Sequence, residues 1–221
     1  MAHMTEPHVV EHAVQVPYED LILNGDLAIP DNPRGIILFA HGSGSSRHSP
    51  RNRFVASHLH QAHFATLLLD LLTLEEEEID ELTARLRFDI PMLADRLGSA
   101  ARWLAQDEHT RDLPLGLFGA STGAAAALIT AAEYAERARA VVSRGGRPDL
   151  AYEFLSEVNA PTLLIVGGND PSVIRLNQQA LAQLQCEKHL EIVPHATHLF
   201  EEPGALEKVS ELARDWFIAH L

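Results

Sequence analysis

Short apolar runs alternate along this chain with longer stretches of helical pattern. The apolar runs are Gly35 to Ala40, Phe64 to Leu69, Leu115 to Phe118, Ala140 to Ser143, Pro161 to Val166 and Leu190 to Val193. Between and after them, helical patterns cover Arg53 to His63, Glu75 to Leu86, Asp89 to Gln106, Ala124 to Arg137, Ser172 to Leu184 and Gly204 to His220. Such alternation predicts an α/β fold, a parallel sheet covered by helices on both faces. Ahead of it, Val9 to Val16 and Leu21 to Ile29 read as two strands joined by a turn and closed by Pro30-Asp31-Asn32-Pro33. This hairpin predicts an antiparallel edge. Thr73 followed three residues later by Glu76 is a capping box, which explains Glu75 to Glu78 as residues of a first helical turn favoured by the helix dipole.

Composition narrows the class. The 221 residues, 46% hydrophobic and 22% charged, suffice for one domain with a substantial core, expected over residues 4–221. Met1-Ala2-His3 reads as the remnant of an expression tag. A formal charge of -14 argues against general affinity for nucleic acid or anionic membranes. The single cysteine, Cys186, allows no intramolecular disulfide and no cysteine-based zinc pattern, which suits a reducing compartment. The N-terminus lacks a basic segment followed by an apolar stretch, and no apolar run approaches the roughly 18 residues that span a bilayer. A soluble, cytoplasmic protein is expected.

The chemistry centres on Gly119-Ala120-Ser121-Thr122-Gly123, a GxSxG motif between an apolar strand and the small-residue helix that begins at Ala124. A serine held at a sharp strand-to-helix turn is a candidate nucleophile, and glycines on either side let strand and helix approach. A serine hydroxyl needs a base, itself oriented by a carboxylate. Asp170 follows the Leu163 to Val166 strand in Gly167-Gly-Asn-Asp-Pro171, and His198 follows the Leu190 to Val193 strand. Both therefore lie at carboxyl ends of strands, where open α/β sheets gather their chemistry. The loop His41-Gly42-Ser43-Gly44-Ser45-Ser46 follows the Gly35 to Ala40 strand and can aim backbone N–H groups inward. The amides of Ser43 and Thr122 are the candidate oxyanion donors.

In this order, GASTG, the HG-rich loop, GGNDP and ATHLF resemble the α/β-hydrolase superfamily over nearly the whole chain. The short length and the absence of a cap insertion between the Ala140 and Pro161 strands resemble its dienelactone hydrolase-like branch. The resemblance implies a mostly parallel eight-stranded sheet without a cap domain. It also implies Ser121 as nucleophile, His198 as general base, Asp170 as its orienter, and a small ester or lactone substrate. Dienelactone hydrolases proper carry cysteine where this chain has Ser121, which points to serine-esterase chemistry. His195 stands where many relatives have glycine.

Competing readings stay open at this stage. Asp170 also suits a helix start before Pro171, with Asp149 as the reserve carboxylate, and His195 competes with His198. His58, His60 and His63 invite a metal, and a helix would put His60 and His63 on one face, but no HExxH pattern supports them. Neither metal nor organic cofactor is called for. Arg47, Arg51 and Arg53 follow the HG loop, and Arg144 and Arg147 follow the Ala140 strand. They would suit an anionic substrate, or would pair with Asp149, Glu201 or Glu202. An acyltransferase with the same triad, or a catalytically silent binding module on this fold, are the alternative functions.

Overall fold

The computed structural model describes residues 7–221; the Met1-Ala2-His3 reading lies outside them. Eight strands form one sheet in the order β1-β2-β4-β3-β5-β6-β7-β8. The hairpin β1 (Val9–Tyr18) and β2 (Leu21–Pro30) is antiparallel, and β2 also runs antiparallel to β4 (Phe64–Leu69). From β4 onward every pair is parallel, through β3 (Gly35–Ala40), β5 (Leu115–Ala120), β6 (Ala138–Arg144), β7 (Thr162–Gly167) and β8 (Lys188–Val193). This is the expected α/β fold with its antiparallel edge.

Burial explains the continuous apolar runs. In β3, β4, β5 and β7 all six positions are buried, as they must be when helices cover both faces. One face packs on α3 (Ile90–Leu104), α4 (Thr122–Glu133) and α5 (Pro171–Gln183), where Leu97, Leu104, Leu128 and Leu184 join the sheet in one core. The other packs on α1 (Pro50–Gln61) and α6 (Ala205–His220), with Val55, Leu59, Val209 and Phe217 in a second core. Helix α4 is enclosed along most of its length; Thr122 to Ala131 are all buried. Its alanines are there because larger side chains would find no room.

Three local differences from the sequence reading have plain causes. Helix α1 starts at Pro50, with Ser49 as N-cap accepting from the Asn52 N–H at 3.3 Å, so Arg51 and Asn52 lie in its first turn. It ends at Gln61; His63 lies beyond it at φ +61° and shares no helix face with His60. Pro148–Glu157 forms irregular 3-10 turns kinked at Ala151, a pattern without the helical period that would have announced it.

The capping box at α2 (Leu74–Thr83) is present, Thr73 and Glu76 each receiving the other's backbone N–H. Glu76 does more than cap. Its carboxylate accepts two hydrogen bonds, at 2.6 and 2.7 Å, from Arg96, a buried residue of α3 that also donates to the Leu71 carbonyl. The Arg96 hydrogen bonds hold the Glu76 carboxyl below its ordinary range.

Candidate active site

The strand order reverses direction between β3 and β5, so the loops leaving these neighbours open a crevice at their carboxyl ends. Ala40 is paired with Gly119, which sets the HG-rich loop beside the GASTG turn. Ser121 occupies that turn at φ +52°, ψ −121°, a backbone conformation that costs a non-glycine residue about 1–3 kcal/mol. The surroundings enforce it. The Ser121 N–H donates to the Arg144 carbonyl at 3.1 Å, and the Ser121 carbonyl accepts from the Arg147 N–H at 3.0 Å.

The flanking glycines are required by contact. A Cβ at Gly119 would strike the Ala124 backbone, and one at Gly123 would strike the carbonyl oxygens of Ala40 and His41. Alanine within a helix is ordinarily stabilising relative to glycine. Gly123→Ala is nevertheless expected to lower unfolding stability by about 3 kcal/mol or more, because rigid backbone must move. A denaturant midpoint equal to or above the wild type would overturn this reading.

His198 Nδ1 and Asp170 Oδ2 lie 2.8 Å apart. An ionised carboxylate only accepts, so the imidazole carries its proton on Nδ1 and leaves Nε2 with a lone pair, the form a general base needs. Asp170 has two tasks: its Oδ2 faces His198, while its Oδ1 caps α5 by accepting from the Val173 N–H. The helix-start reading and the imidazole-orienting geometry thus coexist. Asp149 is paired bidentately with Arg147, at 2.9 and 2.8 Å. His195 adopts φ +64°, in the left-handed region that favours glycine, and its carbonyl accepts from the Asn169 side chain.

The HG-rich loop is fixed from within by a residue whose role the motif alone did not show. Buried His41 accepts from the Leu71 N–H at Nε2, 3.0 Å away. Its proton must then sit on Nδ1, which donates to the Gly42 carbonyl at 2.9 Å. Burial pushes this imidazole below the ordinary histidine value, since desolvation penalises the cation. The unfolded chain therefore takes up the proton first. The stability His41 contributes should be complete above about pH 6.5 and fall as pH drops from there through its folded value. NMR titration of the ring should give a midpoint below the ordinary histidine value; a midpoint at or above about 6.5 would contradict this.

Two adjoining clefts meet at Gly42, Ser43 and Ser45. One, about 560 Å³, is lined by Ser121, His198, Leu199, Ser49, Arg51, Asn52 and Arg144. The other, about 650 Å³, contains Thr122, Leu71, Leu72 and Leu93 together with Glu77, Asp80, Glu81 and Arg87. The Ser43 and Thr122 hydroxyls are 2.9 Å apart, so the residues of the two candidate oxyanion amides are neighbours. Thr122 opens α4, where the first amides have no intrahelical acceptor.

The arginines separate. Arg47 is engaged by Asp70 and Asp26, Arg53 by Asp26 at 2.6 Å, and Arg147 by Asp149; none of these three lines the Ser121 cleft. For Arg47 and Arg147 the expected convergence on the active-site rim is corrected: nearby carboxylates hold them. Arg51 and Arg144 do reach the cleft. His58, His60 and His63 hydrogen-bond to Phe54, Thr66 and Asp31 respectively. Among the described residues no helix is long and apolar enough to cross a membrane.

Comparison with known proteins agrees with this architecture. The model of the dienelactone hydrolase family matches residues 23–217. The crystal structure of a dienelactone hydrolase from Anabaena variabilis is 58% identical, with a TM-score of 0.95 over 98% of this chain and 100% of that one. Est1E from Butyrivibrio proteoclasticus, at 14% identity, shares the fold with a TM-score of 0.80 over 94% of this chain and 98% of its own. Proteins from two strains of Mycobacterium tuberculosis, named "Putative phosphoribosyl transferase", are 56% identical over 98% of this chain. The match covers 48% of their length, so the chain spans about half of these curated relatives. With the family model covering most of the sequence and the eight-stranded sheet in place, this chain belongs to the dienelactone hydrolase family of α/β-hydrolases.

Proposed function

We propose that this protein is a serine hydrolase that cleaves small carboxylic esters or lactones through an acyl-enzyme. The observation that carries the reading is the 2.8 Å contact of His198 Nδ1 with Asp170, in a cleft that His198 shares with Ser121 at its strained turn. Ser121 Oγ bonds to the substrate carbonyl carbon while its proton passes to His198 Nε2. The negative charge gathers on the carbonyl oxygen, facing the Ser43 and Thr122 amides. Collapse breaks the bond to the leaving oxygen, which takes the proton from His198. Water then repeats the sequence, with His198 as base, and releases the acid.

The phosphoribosyl transferase name belongs to proteins twice this length. The match covers 48% of their length, and the transferase name is not carried over to this chain. Reaction with a fluorophosphonate probe, mapped by mass spectrometry to Ser121, together with turnover of an activated short-chain ester, tests the reading. A folded protein that neither reacts nor turns over would refute it. Product analysis with added alcohol separates hydrolysis from acyl transfer to another acceptor.

A further inference from the structure

The start of α5 and the turn at Ser121 are far apart in sequence, yet one buried side chain joins the backbone behind them. Asn177, in the second turn of α5, is fully buried. Its amide nitrogen donates to the Val173 carbonyl at 2.8 Å and, across to another element, to the Gly146 carbonyl at 3.0 Å. Both partners only accept, so both must face the NH₂ end, and the orientation of the amide is fixed. Asn177 Oδ1 is then left buried with no hydrogen-bond partner among the described residues. An orphan of this kind costs about 1–3 kcal/mol. An apolar side chain of similar size would avoid that cost, so the amide is explained by what its two donated bonds hold.

At one end of this link is Asp170. Val173 donates its N–H to Asp170 Oδ1 and offers its carbonyl to Asn177, so one peptide-bearing residue connects the partner of His198 to the buried amide. At the other end, the two neighbours of Gly146 reach Ser121 and His198. Arg147 donates its N–H to the Ser121 carbonyl at 3.0 Å, and Gly145 lies against the imidazole, where a Cβ would stand 3.5 Å from His198 Cε1. Gly146 is confined from the opposite quarter, since a Cβ there would strike Ser143 Oγ and Ala124 Cβ. Removing Asn177 leaves the Gly146 carbonyl without the donor that faces it, and its peptide is free to turn. Reaction geometry tolerates little of that: a displacement of about 1 Å can cost roughly 100-fold in rate. We propose that Asn177 is a positioning residue, which through Gly146 fixes the loop that seats Ser121 and flanks His198, and through Val173 ties that loop to the helix start holding Asp170. It touches no reacting atom. Its effect on rate rests on the serine-hydrolase reading, whereas the link itself is measurable without turnover.

Three variants test this. In Asn177→Ser the hydroxyl can still bond the Val173 carbonyl, four residues back, but falls short of Gly146. Asn177→Ala loses both bonds and is the safer variant for folding, because alanine has the highest helix propensity. Val209→Ala, a truncation in the second core at a position outside both clefts, is the control for lost stability alone. In hydrogen exchange, the Ser121 and Arg147 amides of both Asn177 variants should lose roughly tenfold or more protection beyond any loss at Leu38 in the buried strand β3. In Val209→Ala all three amides should change together. The same uniform change in the Asn177 variants would overturn the link, whether or not any ester is cleaved. In kinetics, kcat for 4-nitrophenyl acetate should fall roughly 10- to 100-fold in the Asn177 variants with KM within about twofold, because acylation and deacylation share Ser121, His198 and the oxyanion donors and slow together. Val209→Ala should keep the wild-type kcat. An unchanged kcat in Asn177 variants whose two amides have lost protection would overturn the positioning role. If the wild-type protein neither reacts with a fluorophosphonate nor turns over while the exchange result holds, the hydrolase reading fails and the link from Asn177 to the Ser121 loop stands.

Discussion

Ser121→Ala should reduce turnover of an activated ester by about 10⁴- to 10⁶-fold and abolish reaction with a fluorophosphonate. The argument is geometric. Ser121 is held at φ +52° by the Arg144 carbonyl on one side and the Arg147 amide on the other, so no other hydroxyl of the turn stands in its place. Thr122 is buried and its hydroxyl faces Ser43, so Thr122→Ala should change the rate far less. The strain gives a second expectation. Glycine adopts positive φ freely, so Ser121→Gly should be as inactive as Ser121→Ala yet more stable than wild type by about 1 kcal/mol. Thermal melts and single-turnover kinetics on the three proteins decide both points. Residual labelling in the alanine variant would overturn the assignment of the nucleophile.

Asp170→Asn separates the two tasks of one side chain. Asparagine is as good an N-cap as aspartate, so α5 should stay capped and stability should change by no more than about 1 kcal/mol. The effect on the imidazole is different. An asparagine NH₂ facing His198 Nδ1 favours the tautomer with its proton on Nε2, which cannot accept the serine proton. Turnover should therefore fall about 10³- to 10⁴-fold in a protein of nearly unchanged melting temperature. Asp149→Asn should leave turnover near wild type, because Asp149 is occupied by Arg147. If Asp149 proved the more damaging substitution, the orienting carboxylate would have to be reassigned.

Much of this was legible in the chain because it is local. Six apolar runs marked the parallel strands, five of them buried and the sixth, in β8, at the partly exposed edge. GASTG carried its own geometric requirement, and strand ends located Asp170 and His198. The start of α1 was missed by three residues although a local signal marks it: Ser49 before Pro50 is an N-cap followed by a proline at the first helical position, and it brings Arg51 and Asn52 to the cleft that contains Ser121. The fate of the arginines was not legible. Whether Arg47 points at substrate or at Asp70 depends on the pairing of β2 with β4, which brings Asp26 and Asp70 to the same corner. Nor does any local pattern signal the role of His41, whose partner Leu71 lies one strand away across the sheet. The 3-10 turns at Pro148–Glu157 lack a period altogether.

The loop from Arg144 to Arg147 is tied to Ser121 at both ends, by the 3.1 Å and 3.0 Å main-chain hydrogen bonds. The backbones that carry the Arg144 and Ser121 side chains are thus joined in one frame. The separation of the two backbones is therefore set by main-chain geometry, as by a fixed calliper. A substitution that shifts the Arg144 to Arg147 backbone would shift the serine with it. The neighbouring cleft is walled in part by α2 and the turn around Arg87, neither of which hydrogen-bonds to Ser121 through the main chain, so its shape can change while the serine stays in place.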